Sequence, residues 1–166
     1  MGPMIEAHEK RHTALAEMDP LMREKLKEGG CVTFSPKGTS MLPMLRSRGD
    51  SVTLEKPPAR LKKGMVALFI TRDPHGGTKY VLHRLVKLRG GRCIFMGDNR
   101  SSADEPVAPE DVIGVVRGFT RREKRYTGDE TAYKLYSRYM VATRGFRRIA
   151  LKLLKLMIKA WKKLKG

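Results

Sequence analysis

Apolar positions between residues 31 and 119 fall in short runs, at 31–34, 51–54, 65–70, 80–88, 92–96 and 112–119, and these predict β-strands. Turn-forming stretches separate them, at Lys56-Pro57-Pro58, Asp73-Pro74-His75-Gly76-Gly77 and Arg89-Gly90-Gly91. Short strands at irregular spacing predict a mainly β, mostly antiparallel and coiled sheet. The pattern changes at both ends. Leu15, Met18, Leu21, Met22 and Leu26 recur at helical spacing and predict a helix over 13–27, which Pro20 either interrupts or restarts and Glu28-Gly29-Gly30 closes. Near the other end, 146–164 projects onto a helix with Arg148, Lys152, Lys155, Lys159, Lys162 and Lys163 along one face. Phe146, Ile149, Leu153, Leu156, Met157, Ala160, Trp161 and Leu164 lie on the other. The chain thus divides into a helical segment at 1–30, a β core at 31–120 and a basic helical tail at 121–166.

Charge sharpens this division. Residues 117–166 hold 16 Lys and Arg against 3 acidic residues, Glu123, Asp129 and Glu130, so that +13 of the net +18 belongs to the tail. A basic amphipathic helix of this kind suits an anionic lipid interface, with the tryptophan at headgroup depth, or else packs its apolar face on the core. Its lysines interrupt it too often for a membrane span. So basic a chain could also neutralise phosphates, but few aromatics interleave the basic residues, and the first helical segment is too short for a helix-turn-helix domain. Nucleic acid is therefore not the expected partner. The first 28 residues are charged throughout and lack the apolar stretch of a signal peptide, which reads as a cytoplasmic chain, with the tail available for peripheral attachment at the inner face of the membrane. Cys31 and Cys93 read as two reduced strand residues rather than a disulfide framework.

The candidate chemistry lies in three ordered blocks: Gly38-Thr39-Ser40-Met41-Leu42-Pro43, then His83-Arg84, then Gly97-Asp98-Asn99 with Asp104 beyond it. An isolated Gly-x-Ser-x-x-Pro is turn chemistry at the end of a strand, and a lone strand histidine is usually just that. Together they supply a hydroxyl that needs a base, an imidazole that can be that base, and a carboxylate that can fix the imidazole's tautomer. Asp98 and Asp104 are the two candidates for that carboxylate. Lys79 and Lys87, flanking His83 at alternating strand positions, offer a lysine base only if one of them is desolvated. His75 reads as a turn residue, and His8 and His12 as solvated. Nothing in the pattern calls for a cofactor or a metal.

These blocks resemble the S24 and S26 serine peptidase families, the type I signal peptidases and self-cleaving SOS-response repressors. The likeness runs from about Val32 to Val116. Ser40-Met41-Leu42-Pro43 is similar to the family's nucleophile box, and Arg48-Gly49-Asp50 with 51–54 to the Gly-Asp and apolar strand that follow it. His83 stands where most bacterial members carry lysine, as in the endoplasmic-reticulum, archaeal and spore-former branch. Gly97-Asp98-Asn99-Arg100-Ser101-Ser102-Ala103-Asp104 is similar to the Gly-Asp-Asn loop. The resemblance implies a coiled β peptidase core, in which 61–66 leads into a central strand, and a serine endopeptidase that cleaves a leader or precursor peptide after small residues. It assigns Ser40 as nucleophile, His83 as base and Asp104 as the orienting acid, with Asp98 structural. The Ser40 N–H would serve the oxyanion with help from a Thr39 or Ser35 side chain. Two other classes stay open: a self-cleaving regulator, for which the chain offers only Gly30-Cys31, the reverse of the required order, and a catalytically silent module that docks on membrane or nucleic acid through the tail.

Overall fold

The structure, a computed structural model, describes residues 17–47, 49–72 and 77–164. It is mainly β: one open, antiparallel seven-stranded sheet carries a helix at each end of the chain. The strands are β1 (Val32–Phe34), β2 (Ser51–Glu55), β3 (Val66–Arg72), β4 (Thr78–Arg89), β5 (Arg92–Met96), β6 (Val112–Arg121) and β7 (Lys124–Thr127). Their order in the sheet is β1-β2-β6-β3-β4-β5, with β7 paired to β6. All pairings are antiparallel, and three of them are bulged, at Thr53/Leu54, Leu68/Phe69 and Leu85/Lys87. Each bulge adds local twist, which is how a sheet of short strands coils.

Alternation along the strands sorts the core. On one face Ala67, Phe69, Val81, Leu85, Phe95 and Val115 pack together, with the Phe69 and Phe95 rings stacked at 4.3 Å. On the other, Leu54, Leu68 and Ile113 meet Met22 and Leu26 of the first helix, α1, described over 17–27. The central strand β3 is therefore buried on both sides from Val66 to Phe69, as its uninterrupted apolar run requires. The helix continues through Pro20 without a break. Met22 and Leu26 are its core contacts, whereas Met18 and Leu21, at the same spacing, stay exposed.

Predicted strands all form, with ends shifted by up to two residues; β1 and β3 each start one residue later than predicted, and 61–66 does lead into the central strand. Cys31 lies just ahead of β1 rather than in it, while Cys93 is in β5; both are free thiols. The sequence reading missed β7 and the helix α2 (Thr131–Ala142), and placed the start of the last helix, α3 (Arg144–Leu164), two residues late. The sheet thus extends beyond residue 120, into the segment read as tail. Residues 13–16, His8, His12, Arg48 and the turn at 73–76 with His75 lie outside the described residues.

Candidate active site

Ser40 opens a tight turn over 40–44, in the long connection between β1 and β2. Leu42 N–H donates to the Thr39 carbonyl at 3.2 Å and Leu45 N–H to the Met41 carbonyl at 2.9 Å. The side chains just after Ser40 anchor this turn: Met41, Met44 and Leu45 are buried against Val52, Val66 and Phe119. Three apolar side chains driven into the core leave the residue before them at the rim. Ser40 is accordingly half-buried and faces a cleft.

His83 sits on β4 opposite Ala67, 4% exposed, with the Phe69 ring packed edge-on at 6.4 Å between centroids. Its Nδ1 lies 2.6 Å from Asp104 Oδ2. An ionised carboxylate can only accept, so Nδ1–H donates here, and a neutral imidazole held this way keeps its lone pair on Nε2. Asp104 reaches His83 because its own N–H donates to the Phe95 carbonyl at 2.9 Å, and the Cys93 and Val107 backbones bond each other twice at 2.8 Å, which ties both sides of the 97–106 loop to β5.

Gly97 joins the serine and the histidine. A Cβ placed on it would lie 2.7 Å from the Ser40 carbonyl oxygen and 2.9 Å from His83 Nε2. The loop can pass between them only without a side chain. Asn99 N–H donates to the Ser40 carbonyl at 2.7 Å, and Asn99 Nδ2 to the Thr39 carbonyl at 3.2 Å, so the loop also holds the serine turn directly. Among the described residues no hydrogen bond joins Ser40 Oγ to His83 Nε2. Such bonds are often long before substrate binds.

Asp98 faces inward. It is 3% exposed, and both oxygens are taken by Arg84, from Nε at 2.8 Å and Nη2 at 2.7 Å. The other donors of this buried guanidinium reach the Gly64 carbonyl (2.8 Å), Ser137 Oγ (2.9 Å) and Met44 Sδ (3.3 Å), so all five N–H groups have partners. Burial works against the Arg84 charge, but the hydrogen bonds and the charge of Asp98 outweigh it and hold the guanidinium above its ordinary pKa. Tyr136 Oη donates to Asp98 Oδ2 at 3.2 Å; burial, and then the Asp98 charge, raise that phenol so that it remains a donor. Gly64 has φ +96°, and a Cβ there would meet Ser137 Oγ at 2.6 Å. The structure therefore separates the two acids: Asp104 meets the imidazole, and Asp98 braces the loop.

The cleft has a volume of about 580 Å³. Gly38, Thr39 and Ser40 form one side, and Asn99 with 100–102 another. Leu151, Leu154 and Ile158 of α3 form an apolar wall. Ser35 is exposed in the connection after β1 and does not line the cleft, whereas Thr39 does. Lys87 is exposed and Lys79 only half-buried, so neither is desolvated as a lysine base must be. The sequence reading missed the bracing by Tyr136 and Ser137, the close approach at Gly97 and the contribution of α3 to the cleft. Only Gly97 left a signal, as the glycine heading its block. Comparison with known families, characterised proteins and solved structures finds no match for the chain.

Proposed function

We propose that this chain is a serine endopeptidase of the signal-peptidase-like kind, with Ser40 as nucleophile, His83 as general base and Asp104 as the acid that orients the imidazole. One observation carries the reading: the 2.6 Å contact of His83 Nδ1 with Asp104, with Nε2 and the Ser40 backbone both within 3 Å of the point a Gly97 side chain would occupy. Ser40 Oγ attacks the scissile carbonyl while its proton passes to His83 Nε2. The tetrahedral intermediate collapses as that proton moves to the leaving amine, giving an acyl-serine. Water, deprotonated by the same imidazole, then releases the acid and regenerates the hydroxyl. The Ser40 N–H serves the oxyanion with help from the Thr39 side chain, a reading supported by Thr39 lining the cleft. The substrate is a leader or precursor peptide cut after a small residue, lying extended in the cleft.

The direct test is covalent capture. A fluorophosphonate or a penem-type β-lactam should acylate the intact protein once, on the peptide containing Ser40, and leave Ser40→Ala unlabelled. Labelling that persists in Ser40→Ala would reject the nucleophile. Unlabelled but folded wild-type protein, with no peptide cleaved, would favour the silent docking module.

Gly97→Ala tests the shared geometry. The added methyl would lie within 3 Å of the Ser40 carbonyl, His83 Nε2 and Arg100 Cγ; the Arg100 side chain can swing away, but the serine backbone and the imidazole must also shift. Overpacking of this kind costs about 1–3 kcal/mol of stability, and a displacement of about 1 Å costs roughly a hundredfold in rate. Acylation should therefore fall by about that factor while a thermal melt still shows a cooperative fold. An acylation rate near wild type would mean that the loop's approach to Ser40 and His83 does not set the reaction.

A further inference from the structure

Among the described residues, α3 carries one apolar surface that stays exposed. Phe146, Ile149, Leu153, Leu156, Met157 and Trp161 are each more than half exposed, and helical spacing puts them on one face. A contiguous apolar strip of this length is unusual on a monomeric surface without a partner. Its chemistry restricts the partner. No acidic residue follows Glu130, and every charged position of α3 is Lys or Arg. A second copy of this chain, or any basic partner helix, would meet a rim of its own sign and be repelled. An anionic lipid surface meets that rim with opposite charge and the strip with acyl chains. Among the described residues no helix is long and apolar enough to cross a membrane, so α3 would lie along the interface.

How α3 is attached gives this surface its consequence. Its first turns are tied to the body: Arg144 Nη1 donates to the Val86 carbonyl at 3.3 Å, and Arg148 Nε to the Ser101 carbonyl at 3.0 Å. Beyond them, Leu151, Leu154 and Ile158, on the flank of the apolar strip, line the cleft that contains Ser40. One helix therefore carries both the uncovered strip and a wall of the candidate active site.

We propose that α3 is an interfacial docking helix for anionic membranes, and that docking holds the Ser40 cleft at the lipid surface, where a membrane-borne polypeptide enters it. Docking itself is independent of the peptidase reading; delivery of substrate to the cleft rests on it. The full-length chain should float with vesicles of mixed phosphatidylglycerol and phosphatidylcholine, and emission from Trp161, the single tryptophan, should shift to the blue. Phosphatidylcholine alone, or high salt, should weaken binding on the order of tenfold or more. Leu153→Glu with Met157→Glu, neither of which lines the cleft, should reduce vesicle binding by a similar factor or more, and Lys152→Glu with Lys155→Glu should weaken it in salt-dependent fashion. If the first pair impairs folding, judged by circular dichroism, Leu153→Gln with Met157→Gln provides the same comparison.

Three results would overturn docking: no binding of the folded wild-type chain to anionic vesicles; a wild-type dimer that becomes monomeric in the apolar-face variant, again without vesicle binding; or binding to duplex DNA, unaffected by that variant, in place of lipid. Delivery is read with two fluorophosphonates. A lipid-anchored probe in anionic vesicles should label wild type about tenfold or more faster than the apolar-face variant, while a water-soluble probe labels both equally. Equal labelling by the anchored probe would overturn delivery. If the soluble probe labels neither protein, the peptidase reading has failed, and vesicle binding still decides docking on its own.

Discussion

Ser40→Ala and His83→Ala are each expected to lower turnover by a factor on the order of 10⁴ to 10⁶, and the double variant by little more, because nucleophile and base act as one unit. The geometry gives the reason. Asp104 accepts from His83 Nδ1 at 2.6 Å, so the imidazole is set in the tautomer whose Nε2 can take the serine proton. Asp104→Asn keeps a hydrogen-bonding side chain of the same shape but can present its N–H₂ to the ring, which favours the tautomer with the proton on Nε2. That change should cost on the order of 10⁴ in kcat with little effect on folding. Turnover of a peptide library, with cleavage sites mapped by mass spectrometry, measures all of these, and cuts should follow small residues. If His83→Ala kept its activity while Lys79→Ala lost it, the base would be a lysine.

Local patterns carried the sheet because its strands are short, apolar and bounded by Gly and Pro turns; the run at 65–70 is the central strand, buried on both sides. The three chemical blocks were legible for a related reason. Gly38 and Pro43 mark a turn around Ser40, Gly97 heads the loop that follows β5, and His83-Arg84 is a polar pair inside the apolar run of β4. What the sequence concealed is long-range. Tyr136 and Ser137 lie in a stretch whose visible property is positive charge, yet they contact Asp98 and Arg84 across 38 and 53 residues of chain. Nothing local marks a serine as the partner of a guanidinium so far away. Strand β7 was hidden in the same way: Lys124, Arg125 and Thr127 make it polar and charged, and its strand character comes from pairing with β6. The last helix was legible as amphipathic, but periodicity alone cannot say which part of an apolar face is covered. Leu151, Leu154 and Ile158 line the cleft, though Leu154 and Ile158 stay largely exposed there, while Phe146 and Met157 lie outside it.

Asp98→Asn and Arg84→Met should each destabilise the fold by about 3–5 kcal/mol, since either change leaves the opposite charge buried without its partner. At roughly 2–4 °C per kcal/mol for a chain of this size, the melting temperature would fall by about 6–20 °C. Arg84→Met strips Asp98 of both charged donors and leaves it the Tyr136 hydroxyl at 3.2 Å. Asp98→Asn turns an amide N–H₂ toward a guanidinium that has only donors. The pair Arg84→Met with Asp98→Leu removes both charges and should recover much of the loss. Ser137→Ala breaks the link from α2 to Arg84 Nη1 and to the Gly64 carbonyl and should cost about 1–3 kcal/mol. Urea and thermal unfolding read these values, and acylation of Ser40 well below each melting temperature separates bracing from chemistry. Asp98→Asn should still be acylated there, because Gly97 and Asn99 keep their backbone contacts, whereas Asp104→Asn should melt like wild type and acylate slowly. The opposite pattern, a stable but inert Asp98→Asn beside an unstable and active Asp104→Asn, would exchange the roles of the two aspartates.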